Sequence, residues 1–138
     1  MSWLTERFKD SVHYTDMVEF ITAGKTLTAG VDNNKTFILS DAAPGTITLP
    51  AVTNKGFKCK VIVGFAITSD GVVESAEGDN MEGALMVAST VVTVDAADQI
   101  NFEEGADNIG DWATFESDGA IWYVDGRALT TAGMTATG

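Results

Sequence analysis

The sequence has one cysteine, two prolines, one histidine and no long apolar run. A single cysteine cannot form an internal disulfide, and Cys59 lies within an apolar alternation, so we expect it to pack as a small hydrophobic residue. No stretch is long and apolar enough to predict a transmembrane helix, and the charges of MSWLTERFKD are not those of a signal peptide. We therefore expect a soluble protein that is not exported through such a signal.

Lysine and arginine are scarce, and they are absent from residues 61–126. That stretch carries fourteen acidic residues, whereas residues 1–60 carry seven basic and six acidic ones, a net charge of +1. Nucleic-acid-binding proteins gain affinity by neutralising phosphates, so this distribution argues against DNA or RNA as a ligand. The acidic half is either simply solvated, or it faces solvent while the near-neutral half docks on a partner.

The residue types of catalytic and metal sites are present, but their spacing is wrong for such sites. Asp10, Ser11 and His13 crowd into four consecutive positions and do not make a triad. Glu103 and Glu104, as adjacent strand residues, point to opposite faces and cannot flank one bond. The oxygen ligands of EGDNMEG match no EF-hand loop. We predict that the protein is not an enzyme and has no catalytic residue, cofactor or metal.

Short apolar runs separated by Gly, Asn, Asp and Pro clusters indicate an all-β fold from Lys25 onward. With 138 residues and 45% hydrophobic content, the chain can bury the core of one domain. The predicted strands are 26–28, 36–39, 46–49, 57–68, 71–74, 84–87, 90–94, 99–102, 112–116 and 120–124.

The predicted β domain spans residues 25–126. Residues 1–24 form an N-terminal arm with at most a short helix, which has the length to reach a neighbouring molecule. Residues 127–138 form a small, uncharged C-terminal tail that is expected to fray or to lie along a neighbouring subunit.

The long strand that begins at residue 57 predicts much of the core. Alternate side chains of a strand share one face, and the apolar set of this strand belongs to the buried face. These residues are Phe57, Cys59, Val61, Val63, Phe65 and Ile67. The preceding strand must end at Pro50, which has no N–H to donate to a sheet.

A hairpin is predicted in WATFESDGAIWYV, residues 112–124. The pair Asp118 and Gly119 suits a two-residue type I′ turn, which needs a positive φ at both central positions. Counting outward from that turn places Phe115 opposite Trp122. This aromatic pair is expected in the core.

The order of these motifs resembles that of small β domains in tailed-phage virions. TITLPA precedes a glycine and a long hydrophobic strand, and an acidic loop with MEGA and the segment IGDWATFESDGAIWYV follow. Such motifs occur in capsid decoration (cement) proteins and in some head-fibre and tail-fibre domains. The resemblance covers about residues 25–126 and is nearest to the decoration proteins, whose compact, sandwich- or barrel-like fold is called a β-tulip.

The resemblance implies a structural virion protein, made in the host cytoplasm, that binds the outer surface of the phage head. It implies a homotrimer that stabilises contacts of the major capsid protein, with no nucleic acid or membrane as partner. The expected partner-binding residues are Trp3, Leu4, Phe8, Tyr14 and Phe20, since aromatic residues dominate interface hot spots. The first three are equally able to fold back on their own β domain.

The alternative is a receptor- or carbohydrate-binding domain of a head fibre or tail fibre. In that case Trp112, Trp122 and Tyr123 would be exposed for stacking on sugars. Trp112 and Tyr123 do fall on the face opposite Phe115. Exposed and clustered aromatic rings would favour sugar binding, whereas coverage by another subunit would favour assembly.

Overall fold

The computed structural model describes residues 14–138. This part contains a 3₁₀ turn at Tyr14–Met17 and a short helix, α1 (Ala29–Asp32). Its strands are β1 (Val18–Ile21), β2 (Lys25–Thr26), β3 (Thr36–Leu39), β4 (Thr46–Thr48), β5 (Lys58–Val63), β6 (Gly71–Glu74), β7 (Met81–Val87), β8 (Thr90–Ala97), β9 (Gln99–Phe102), β10 (Trp112–Ser117), β11 (Trp122–Ala128) and β12 (Met134–Thr137). Among these residues, no helix is long and apolar enough to cross a bilayer.

The strands form two sheets that pack face to face. The larger sheet has seven strands in the order β1-β3-β5-β10-β11-β7-β8, and the smaller has five in the order β12-β9-β6-β4-β2. Both sheets mix parallel and antiparallel pairs, and together they make a compact sandwich-like domain. The prediction of an all-β sandwich is confirmed.

The first six strands alternate between the two sheets. β1, β3 and β5 are parallel neighbours in the larger sheet, and β2, β4 and β6 are parallel neighbours in the smaller one. Parallel neighbours need a crossover connection, and here each crossover contains a strand of the opposite sheet. The chain from residue 18 to residue 74 therefore winds around the core as a coil of three turns.

The second half of the chain completes both sheets, mainly with antiparallel pairs. β10 pairs with β5 and β11, β7 pairs with β8, and β9 lies between β6 and β12. The pair of β11 with β7 is parallel. The centre of the larger sheet is thus built from strands that come late in the sequence.

One apolar core fills the space between the sheets. The predicted core residues Phe57, Val61, Val63, Phe115 and Trp122 are all at most 3% exposed, and for these the prediction is confirmed. The rings of Phe57 and Trp122 meet edge to face, with centroids 5.9 Å apart. Such a pair contributes about 0.5–1.5 kcal/mol beyond the burial of its area.

Phe65 was predicted to share this core, and that prediction is wrong because its side chain is 49% exposed. β5 ends at Val63, and the N–H of Gly64 makes the last bond to β3, to the carbonyl of Leu39 at 2.9 Å. The chain then bends at Phe65. Alternation between faces holds only while the backbone stays extended and paired. Phe65 follows that point and faces solvent.

The hairpin between β10 and β11 has a four-residue loop, 118–121, instead of the predicted two-residue turn. The carboxylate of Asp118 accepts two backbone N–H groups of the loop, at 2.8 and 2.9 Å, and so closes it. Phe115 consequently pairs with Val124 and not with Trp122. A shift of two residues keeps every side chain on its face, which is why the core prediction survives the wrong register.

Both predicted terminal segments contribute strands to the sandwich. The last part of the expected arm forms β1, and the expected tail forms the end of β11 and all of β12, which pairs with β9. The prediction of a frayed tail is therefore wrong, and Met134 in it is fully buried. The boundaries expected at residues 24 and 127 fall inside the folded domain, because neighbouring strands supply the partners that these short segments need.

Candidate functional site

The described surface offers shallow grooves. One of about 500 Å³ crosses the outer face of the larger sheet, between Lys58 and Lys60 on one side and Tyr123 and Asp125 on the other. Among residues 14–138, no three His, Cys, Asp or Glu side chains are grouped so that they could hold a metal ion.

One row of side chains crosses the outer face of the larger sheet from edge to edge. Cross-strand pairing puts one residue of each strand in line, and strand alternation points all of them away from the core. We call this set the outer row: Phe20, Ile38, Ile62, Trp112, Arg127, Met86 and Val91. All its members except the arginine are apolar.

The outer row is most exposed towards the edges of the sheet. Phe20 is 68% exposed, Met86 44% and Val91 60%. Ile38, Ile62 and Trp112, nearer the middle, are half-buried. A sheet face that meets water is normally polar, so a row that is apolar at all positions except Arg127 makes this face a candidate contact surface.

Three more apolar side chains lie just beyond the outer row, on loops at the same end of the sandwich. Phe65 follows β5, Ile109 precedes β10 and Leu129 follows β11, and they are 49%, 71% and 69% exposed. These chain ends coincide because β10 is antiparallel to both of its neighbours. We call these three residues the apolar end.

A buried carboxylate fixes the loops that carry the apolar end. Asp111 is 4% exposed, and its two oxygens accept the N–H groups of Leu129, at 3.0 Å, and of Asn108, at 2.9 Å. Its backbone carbonyl accepts the N–H of Val63 at 2.8 Å. The exposed side chains thus project from a rigid frame, as binding residues on loops commonly do. Sequence reasoning missed Asp111, whose only signal is its place next to a glycine before a strand.

Four charged side chains tie the edge strand β1 to the rest of the sandwich. The ammonium of Lys25 lies 2.7 Å from Glu19 and 3.0 Å from Asp32, and that of Lys35 lies 3.4 Å from each of the same two carboxylates. We call these four residues the ion cluster. Because Glu19 belongs to β1 and Lys25 to β2, the cluster joins the edges of both sheets.

Asp32 is the buried member of the ion cluster, at 1% exposure. One of its oxygens also accepts the N–H of Thr28 at 2.8 Å. Burial by itself raises the pKa of this carboxyl, but the Thr28 N–H and the ammonium of Lys25 outweigh burial and hold the pKa below its ordinary value. Asp32 therefore stays ionised in a place where an unpaired carboxylate would be unstable.

The predicted partner-binding residues fall in two groups. Phe20 lies on the outer row and is exposed, and Tyr14 begins the 3₁₀ turn that leads into the same strand. Trp3, Leu4 and Phe8 lie outside the described residues. The structure places Phe20 on the apolar surface, and all five partner-binding assignments stay predictions.

The aromatic residues of the carbohydrate alternative do not form one platform. Trp122 is fully buried. Trp112 and Tyr123 are on adjacent strands, but their positions differ by four residues of register, or about 13 Å along the strands. The ammonium of Lys60 lies 4.8 Å from the centroid of the Trp112 ring, and the hydroxyl of Tyr123 donates to Asp118 at 2.9 Å. The clustered stacking surface on which that alternative depends is absent among the described residues.

Comparison with known proteins finds no matching family model, no matching curated protein and no matching solved structure.

Proposed function

We propose that this protein is a structural binding protein of the capsid-decoration type, which docks on the outside of a phage head and holds neighbouring coat subunits together. The observation that carries the proposal is the apolar end, three exposed apolar side chains on loops that Asp111 holds in a fixed frame. Exposed apolar side chains on a fixed frame suit a permanent protein contact, because little conformational entropy is lost when they are covered.

The stabilisation of a head by such a protein follows from linkage. A protein that binds several assembled coat subunits, and does not bind the separated ones, shifts the equilibrium towards the assembled shell. A homotrimer, as the resemblance implies, adds avidity because three weak contacts act together. No catalytic group is needed for this role.

The charge of the protein is compatible with an exposed position on a virion. Its formal net charge is −12. An acidic surface is repelled by polyanions such as DNA and by anionic membranes, so the protein would not compete for the packaged genome or for the host envelope.

The test uses undecorated heads of the phage that encodes the chain. Purified protein is added over a concentration range, bound protein is measured by co-sedimentation, and head rupture is followed on heating. We expect saturable binding and a higher rupture temperature. The double substitution Ile109→Ser with Leu129→Ser should weaken binding by about tenfold or more, since it removes two central apolar contacts.

Val31→Ser is the matched control, because Val31 is 65% exposed but lies on α1, away from the apolar end. This variant should bind like the unmodified protein. Absence of binding at saturating protein would refute the decoration role. Equal binding by the double variant and the control would refute the assignment of the docking surface to the apolar end.

A further inference from the structure

We propose that two copies of this chain pack face to face through the outer face of the larger sheet, about a two-fold axis that runs along β10. This contact goes beyond the proposed function, and it differs from the three-fold contact that the resemblance implies. A two-fold interface uses the same patch on both copies, so the patch must be complementary to itself. The outer face meets that requirement in its apolar row, in its charges and in its size.

The outer row is symmetric about its central residue in apolar character, except that half-buried Ile62 on one side corresponds to Arg127 on the other. Trp112 is the fourth of the seven members of the outer row, and a two-fold axis along β10 lays β5 over β11, β3 over β7 and β1 over β8. Trp112 then meets Trp112 of the second copy, and Phe20 meets Val91. Ile38 meets Met86. Every exposed apolar side chain of the row gains an apolar partner, which is the main source of interface stability.

The charges of the next row along the strands are complementary under the same axis. Thr114 is the central residue of that row, with Lys60 paired to it on one side and Asp125 on the other. Within one chain the two charged residues are two strands apart, or about 10 Å, and they make no ion pair. The two-fold axis brings Lys60 of each copy against Asp125 of the other, which gives two intermolecular ion pairs.

The outer face carries little net charge, so two copies can bring it together at moderate electrostatic cost, although Glu116 on the axis meets Glu116 of the second copy. The side chains that point outward from the larger sheet include three basic ones and four acidic ones, a net of −1, against −12 for the whole chain. These residues are Lys58, Lys60, Arg127, Glu82, Asp95, Glu116 and Asp125. Repulsion between the remaining acidic surfaces is weaker because they point away from the interface.

The area of the face is sufficient for a modest interface. Seven strands about 4.8 Å apart span about 29 Å, and three rows of outward side chains cover about 15–20 Å along the strands. The projected area is therefore about 500 Å² per copy. A typical specific interface buries about 800 Å² of accessible surface per partner, so this one would be among the smaller ones. The pairing should accordingly depend on concentration.

The experiment is sedimentation equilibrium of the full-length protein over a wide concentration range at low salt. We expect the mass to double as the concentration rises, from 14.5 kDa for one chain to twice that value, or from a trimer to a pair of trimers where the three-fold contact also forms. Lys60→Glu and Asp125→Lys should each raise the concentration needed for pairing by about tenfold or more, because each puts two like-charged pairs in the interface. An equimolar mixture of the two variants should pair again, since the mixed dimer has two attractive pairs.

Matched controls are Lys55→Glu and Glu104→Lys, which change the net charge equally at exposed positions away from the outer face. They should pair like the unmodified protein, and circular dichroism should show that all variants are folded. A chain that stays single at every concentration overturns the proposal. The outer row would then be covered by residues 1–13 or by a different protein. An oligomer that the face variants do not weaken, or that their mixture does not restore, overturns it as well.

Discussion

Asp32 is a carboxylate that the fold holds away from water between two lysines and a backbone N–H. Replacing it by asparagine removes one of the two carboxylates that both lysines contact and leaves them with Glu19. A fully buried pair broken in this way costs about 3–5 kcal/mol, but Lys25 and Lys35 keep 29% and 16% of their side-chain surface in water, which reduces the cost.

We therefore predict that Asp32→Asn lowers the free energy of unfolding by about 2 kcal/mol, measured by urea denaturation. Glu104→Gln changes an exposed carboxylate in the same way and should stay within about 0.5 kcal/mol of the unmodified protein. Similar stability of the two variants would show that the ion cluster does not hold the sheet edges together.

The same residue predicts the response of the protein to acid. The pKa of Asp32 is lower in the folded chain than its ordinary value of 3.8, so the unfolded chain takes up this proton at a higher pH than the folded chain does. The resulting stabilisation is fully present above that ordinary value, and it is lost as the pH falls through the folded-state pKa. Asp32→Asn should lose less stability between neutral pH and acid than the unmodified protein. Parallel curves for the two proteins in urea titrations at several pH values would contradict this.

Cys59 should be chemically silent while the protein is folded. Burial, with a smaller contribution from the charge of Asp32, raises the pKa of its thiol to about 12. At pH 8 the reactive thiolate is then about one part in ten thousand, and the side chain is buried as well. Iodoacetamide should modify the thiol at pH 8 in denaturant and leave it unmodified in buffer, as read by mass spectrometry. Rapid labelling of the native protein would show that β5 opens readily.

At the scale of the element, the parallel pair of β7 with β11 depends on a glycine. Gly83 has a φ of 146°, and a Cβ atom there would lie 2.0 Å from the carbonyl oxygen of Val124. The two backbones are close because no side chain intervenes. Any larger residue must push the strands apart.

Gly83→Ala should therefore lower the free energy of unfolding by about 3 kcal/mol or more, through backbone strain and lost strand pairing. Gly30→Ala is the control, since nothing lies within 4 Å of a Cβ atom at that position in α1. It should be neutral or stabilising by up to about 1 kcal/mol, because alanine favours the helix. The free energy of unfolding of both variants is measured by chemical denaturation. Equal losses for Gly83→Ala and Gly30→Ala would contradict the prediction.

Strands with a clear apolar alternation could be predicted from the sequence, and those without it could not. The strands 36–39, 71–74 and 99–102 were predicted with their observed bounds. β1 was expected only as a lean towards extended structure over residues 12–21, and it pairs with β3. β12 was missed because its residues are only partly apolar and gain their structure from β9. The outer row depends on cross-strand register, and Asp111 on contacts between loops, so neither could be derived from local pattern.

At the scale of the whole molecule, strand order could not be derived from the sequence either. Short connections between strands favour hairpins, yet the first six strands pair with neighbours two elements away. Such non-local pairing costs loop-closure entropy before any contact forms, so folding should be slow for a chain of this size. We predict refolding in milliseconds to seconds after dilution from urea, followed by tryptophan fluorescence in a stopped-flow instrument. A microsecond relaxation would contradict the observed topology.

The late position of β10 and β11 in the chain has a consequence for protein synthesis. The strands β1, β3 and β5 and the pair β7 and β8 leave the ribosome as two half-sheets whose facing edges have no partner until residues 112–128 emerge. Unpaired edges of this kind recruit strands from other nascent chains. The β10–β11 hairpin joins the two half-sheets by pairing with β5 and β7. A chain truncated shortly before residue 112 should therefore aggregate.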